Sequence, residues 1–254
     1  QLISPDRIND FLAADPNYTH HDDLSDFLTA VQNGSIDNNW GNPGPNDNVQ
    51  PNQINFSIMA PGTIFTMAGE QYRYLENQGG GNHLIIRNYT TTSNNSVTFT
   101  NQETALNLWY EGLESTVKAM VRPVADSFET GVVNQHELSW TGSLWVPTNL
   151  DDFPEVEADV TRVVSSGTPR AFSLSLADVV HLSGPGRAFP NHEGRMVPDG
   201  AAAWWLRTPA GVEGGTERAW RVTHRYDDNN LGQLRSGWRT TSWLNIRPAL
   251  IINQ

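Results

Sequence analysis

The 254-residue chain has no cysteine. Disulfide scaffolding, thiolate nucleophiles and Cys-ligated zinc are excluded, although the compartment is not fixed by this absence. Lysine is nearly missing as well: Lys118 is the only one, and every other basic residue is an arginine. Sixteen basic residues stand against 28 acidic ones, a formal net charge of -12. A balance of that sign speaks against nucleic-acid binding, which needs a basic face, and suits solubility at high local concentration. No apolar run reaches the roughly 18 residues a membrane helix needs, so no membrane insertion is expected. No secretory leader is recognisable, and a start at Gln1 rather than Met suggests processing or a sequence that begins late. The catalytic signatures are missing too. There is no nucleophile elbow, phosphate loop or triad pattern, and none of the seven histidines has the i, i+4 partner of a helical zinc motif.

Aromatic residues are what the chain does have. Nine Trp and nine Phe point to a few large packing centres rather than leucine-rich helical layers. Residues 1–32 read as two short amphipathic helices. The first starts at Ser4-Pro5-Asp6 and buries Ile8, Phe11 and Leu12; the second carries Leu24, Phe27, Leu28 and Val31 at helical spacing. A Gly/Pro/Asn-rich connector follows over residues 33–53, with Trp40 as its anchor. From about residue 54 the period changes. Residues 71–75 and 83–87 flank a Gly79-Gly80-Gly81 turn and read as a hairpin. Residues 102–130 carry a helical stripe from Leu106 to Val121, interrupted or ended by Pro123. Trp140, Trp145 and Phe153 are expected to plug a loop-rich stretch, and Ala177–Val180 to form a short helix. Three apolar runs, 203–207, 219–223 and 246–252, read as closing strands. Five Asn-x-Ser/Thr sequons, at Asn17, Asn33, Asn55, Asn88 and Asn94, are what chance gives a chain this rich in Asn and Thr.

Several of these pieces, in this order, resemble a family of bacterial and phage domains, the DUF6273 type. They are IFTMAGEQYRYLENQGGGNHLIIRNY, ALNLWYEGLESTVKAM, AFSLSLADVVHL, AAAWWLRTPAG and NIRPALIIN. The likeness spans roughly residues 60–254, and its closing strands are similar to C-type-lectin-like domains, including sulfatase-modifying-factor and retroelement variable proteins. The resemblance implies an α+β, C-type-lectin-like fold over residues 56–254: a twisted antiparallel sheet, one or two helices and long loops whose C-terminal members form the ligand face. Residues 1–55 would then be a separate helical segment and connector, acting as an attachment or oligomerisation device or as a cap on the same domain. The formylglycine-generating relatives use cysteines, so that activity is excluded here.

The strongest binding candidate is residues 224–245. Rigid aromatics and adaptable hydrogen bonders are mixed there as they are in paratopes. Tyr226, Asp228, Asn229, Asn230, Arg235, Trp238, Arg239, Thr241, Trp243 and Asn245 are the candidate ligand-binding residues, with Trp238 and Trp243 equally able to fill a core. Asp227-Asp228-Asn229-Asn230 offers oxygens for calcium but also suits a turn, and no cofactor is expected. Val197-Pro198-Asp199 and Trp243-Leu244-Asn245 only faintly resemble the motifs of sugar-binding lectins. Asn191-His192-Glu193-Gly194 and His20-His21-Asp22-Asp23 read as polar surface loops. Arg207 and Arg247 sit inside apolar runs and need carboxylate or carbonyl partners. The function expected is non-catalytic: an extracellular or virion-borne protein, such as a phage receptor-binding or decoration protein or an adhesin, binding protein or glycan on a target surface. Homo-oligomer or virion contacts would run through residues 1–55. The alternatives are a subunit of a particle or filament and an enzyme of unrecognised type.

Overall fold

Tight turns made by positive-φ residues set the frame. In the computed structural model, residues 48–91, 96–199, 201, 203–223 and 231–254 are described; they fall in one compact unit, Pro43–Gln254. The two helices expected over residues 1–32, the Trp40 anchor and the loop at 224–230 lie outside the described residues. Ala68 (φ 50°) and Gly69 (φ 81°) turn strand β1 (Ile64–Met67) back into β2 (Glu70–Gly79). Positive φ at both central residues is the hairpin turn that matches strand twist. Gly79, Gly80 and Gly81 pass the chain on to β3 (Asn82–Arg87). Gly81 has no tolerable substitute, because a Cβ there would lie 2.6 Å from the Gln254 carbonyl oxygen. The last strand, β11 (Ala249–Asn253), pairs with β3, giving an antiparallel sheet in the order β1-β2-β3-β11.

The other main sheet is three-stranded and antiparallel, in the order β10-β9-β8. Its strands are β8 (Ala203–Glu213), β9 (Thr216–Thr223) and β10 (Leu234–Arg239). Four two-residue strands complete the set: β4 (Pro123–Val124) with β7 (Thr168–Pro169), and β5 (Trp140–Thr141) with β6 (Val146–Pro147). The helices are few and short: α1 (Gln102–Glu111), α2 (Ser115–Lys118), α3 (Pro154–Glu157) and α4 (Leu176–His181). The body is thus mixed α/β with mostly antiparallel sheets and few helices.

Alternation divides the interior. One face of the four-stranded sheet (Leu84, Ile86, Ala249, Ile251) joins one face of the three-stranded sheet (Trp204, Leu206, Trp220, Val222, Leu234) and α4 in the largest core cluster. Trp140, Trp145 and Phe153 pack against it as plugs. The opposite face of the four-stranded sheet (Tyr72, Tyr74, Ile85, Leu250, Ile252) buries Leu106 of α1, Val117 of α2 and, from the stretch before β1, Ile54 and Phe56.

Three elements differ from the sequence expectation. The stripe over 102–130 is two helices, ending at Glu111 and Lys118, rather than one. Val121 leaves the helix to bridge Ile252, and the Arg122 N–H donates to the Ile251 carbonyl at 2.7 Å; sheet pairing overrides helical periodicity. The strand expected at 246–252 begins only at Ala249, because Pro248 has no N–H to give the ladder. The stretch 224–245, read as loop, contains β10. A register shift between Arg235 and Trp238 interrupts its alternation, which hides the strand from a period-two search.

Candidate binding surface on the outer face of the three-stranded sheet

The face of this sheet turned away from the main core carries a smaller cluster: Ala203, Trp205 and Ala219 with Leu244, against which Val97, Phe99 and Trp238 pack. Segments 96–101 and 240–245 are tied over it. Val97 and Leu244 exchange backbone hydrogen bonds at 2.7 and 3.1 Å, and the Trp205 indole N–H donates to the Val97 carbonyl at 3.0 Å. Phe99 meets Trp205 edge to face, with ring centroids 5.8 Å apart. A rigid aromatic floor therefore lies under the surface that residues 235–245 present.

The candidate residues separate into two groups on this floor. Trp238 is half-buried, with the Arg221 guanidinium carbon 4.7 Å from its ring centroid. Arg235 faces Arg221 across the ladder, and its Nε donates to Gln233 Oε1 at 2.9 Å. Arg239 and Thr241 are exposed, and Trp243 is 67 % exposed. A turn closed by the Ser242 N–H on the Arg239 carbonyl (2.9 Å) holds this second group. Asn245 turns inward: its Oδ1 accepts from the Ser96 hydroxyl at 3.0 Å, and its carbonyl accepts from the Trp205 N–H at 3.0 Å. Tyr226, Asp228, Asn229 and Asn230 lie outside the described residues. Arg221 was missed in the sequence; its signal is the alternation Ala219-Trp220-Arg221-Val222, which puts it on the face opposite the two core residues.

Like charges opposite one another mark the ladder. Arg221 pairs with Arg235, and Arg218 with Arg239, an arrangement that costs a few tenths of a kcal/mol or more per pair. Arg218 is partly compensated by Glu213 at 3.7 Å and donates to the Gly237 carbonyl at 2.8 Å. The first half of the outer edge of β10 is covered. The Leu234 N–H donates to the Leu144 carbonyl at 3.1 Å and the Ser236 N–H to Gln135 Oε1 at 3.2 Å, so these two donors are not open to a partner strand.

In the Val197-Pro198-Asp199 fragment, Asp199 serves the fold. Its Oδ2 accepts from the Thr90 N–H and hydroxyl, both at 2.7 Å, and its Oδ1 from the Ala201 N–H at 3.1 Å. Among the described residues no three His, Asp or Glu side chains gather as a metal ion needs. His192 lies against Trp145, centroids 4.8 Å apart, and its Nε2 is 3.1 Å from the Ser143 carbonyl oxygen; burial lowers its pKa. Arg207 is paired as its setting required. It binds Asp159 through Nη2 at 2.5 Å and Asp178 through Nη1 at 3.0 Å, and it stacks on Phe128 at 4.0 Å. Burial, opposed by the Arg207 charge, pushes Asp159 up to about 6.

No family model, no curated protein and no solved structure matches the chain.

Proposed function

We propose that the chain is a non-catalytic, C-type-lectin-like binding protein that works outside the cell or on a virion and engages its target through the surface built from β10 and the turn after it. Trp243 carries the proposal: a large indole, two-thirds exposed, set between the buried anchors Leu244 and Thr240 on a segment bonded to residues 97–99. Exposing an indole forfeits about 1.5–3 kcal/mol of burial, and contact energy in interfaces concentrates on rigidly mounted Trp and Arg. Arg239, one turn away, adds an exposed guanidinium, and the Arg221 guanidinium lies over the half-buried Trp238 ring on the same strand pair. The antiparallel β8-β9-β10 sheet near the C-terminus is where lectin-like domains carry their ligand loops, which supports the fold assignment.

The test is retention of the labelled full chain by intact bacterial cells and by immobilised cell-surface polysaccharides. Trp243→Ala is expected to lower binding at least 30-fold, the scale of a hot-spot residue, and Arg239→Ala about 10-fold. Arg122→Ala, at an exposed position elsewhere, is expected to bind like the unmodified chain. Equal retention of all four proteins would rule out this surface.

A further inference from the structure

Arginine side chains inside this body fall into two classes. Arg207 has carboxylate partners. Arg73, Arg195 and Arg247 have none at ion-pair distance among the described residues. Arg195 is nevertheless satisfied. Its Nε and Nη2 donate to the Ser183 hydroxyl at 3.1 and 2.7 Å, its Nη1 donates to the Gly232 carbonyl at 3.2 Å, and the guanidinium carbon sits 3.7 Å from the Trp145 ring centroid.

Arg73 and Arg247 are different. Arg247 is 0 % exposed; its Nε donates to the Arg87 carbonyl at 2.8 Å and its Nη1 reaches the Arg195 carbonyl at 3.4 Å, while its Nη2 is buried with no acceptor among the described residues. Arg73 donates from Nη1 to the Gly62 carbonyl at 3.3 Å, and its buried Nε likewise has no acceptor there. The sheet brings the two together. Arg73, Ile86 and Ala249 form one row across β2, β3 and β11, and Arg247 precedes Ala249 by two residues, on the same side. Loop 183–199 covers that side: Ala188 meets Gly62, and Arg195 meets Arg247. Each guanidinium feels the burial, Arg73 being lowered to about 10 and Arg247 well below its usual value, the latter further by the Arg73 charge and against the pull of Asp199.

Among the described residues Asp199 is the carboxylate that pulls on Arg247, and it is engaged by Thr90 and Ala201. Among the described residues, Arg73 and Arg247 with their open donors face one carboxylate, so positive charge is in excess in a region where an isolated ion costs several kcal/mol. A water molecule would meet the free N–H groups but not the charge. We propose that Arg73 and Arg247 hold a buried monovalent inorganic anion of halide size between the four-stranded sheet and loop 183–199. A single-atom anion accepts N–H groups from any direction, so donors from two separate side chains can both be met. The ion pins the loop to the sheet and is a structural ligand, distinct from the surface at Trp243.

Sodium bromide is the probe. The full chain is melted in increasing bromide, with sodium gluconate holding ionic strength constant, and crystals grown in bromide are measured at the bromine absorption edge. A saturable rise of about 2–4 °C, lost in Arg73→Met, and an anomalous peak within hydrogen-bond distance of Arg247 Nη2 are expected. Should Arg73→Met fail to fold, Arg73→Gln, which keeps a donor and removes the charge, takes its place. A water without anomalous signal at that position, or a bromide increment unchanged in the Arg73 variant, would overturn the proposal.

Discussion

Arg207 and Arg247 occupy comparable places: each lies in an apolar run near the C-terminal strands, and each is taken from water. Their surroundings are opposite. Arg207 reaches Asp159, Asp178, the Thr161 hydroxyl and the Ser173 carbonyl, so every donor group is used and the charge is more than balanced. Arg247 has two backbone carbonyls, the Trp204 ring at 5.5 Å and one open donor. The first guanidinium is a closed network joining β8, α4 and the 159–161 segment. The second has, among the described residues, one N–H group without an acceptor and no carboxylate at ion-pair distance. A buried cation is thus no sign of stability in itself; what counts is whether its counter-charge lies in the chain.

Substitution separates the two. Arg207→Met strands two buried carboxylates and is expected to cost about 3–5 kcal/mol in chemical denaturation. Arg247→Met removes a charge that has no carboxylate at ion-pair distance among the described residues and leaves two carbonyls short, about 1–3 kcal/mol; in bromide-free buffer the gap between the variants should be widest. If both cost the same in gluconate, the two sites do not differ as described. A smaller effect follows from pH. The Asp159 carboxyl titrates near 6 in the folded chain against an ordinary value of 3.8, so protonation favours the fold. That contribution is full below about pH 4 and is lost as pH rises through 6. Relative to Asp159→Asn, the unmodified chain should gain melting temperature on going from pH 7 to pH 5; parallel curves would place the titration elsewhere. Smallest of all, Trp243→Ala should shift stability by no more than about 0.5 kcal/mol, as an exposed position does, so that any loss of binding is not a loss of folding.

Much of this was open to a reader of the sequence. Alternation around a glycine turn marked β2 and β3, and the Ala177–Val180 run marked α4, whose start the structure shows to be a capping box of Ser175 and Asp178. The need of Arg207 and Arg247 for partners followed from their apolar neighbours. Who the partners are did not, because Asp159 and Asp178 lie 48 and 29 residues away along the chain and nothing local points to them. Strand β10 was hidden for a related reason: its bulge and its Arg and Ser residues erase the alternation, and only pairing with β9 makes it a strand. On the surface, Arg239, Thr241 and Trp243 were legible by composition, whereas the inward turn of Asn245 depends on Ser96, far away in sequence.

The pairing of β11 with β3 also has a consequence in time. About 160 residues separate the Arg87 carbonyl from the Arg247 side chain that caps it. At roughly 5–20 residues per second, a ribosome needs on the order of 8–30 s to deliver β11 after β3 has emerged. During that interval β3, with His83-Leu84-Ile85-Ile86 in a row, presents an unpaired apolar edge. The nascent chain should therefore be a client of holdase chaperones, and ribosome-bound intermediates truncated before Ala249 should be released as aggregates rather than as folded protein.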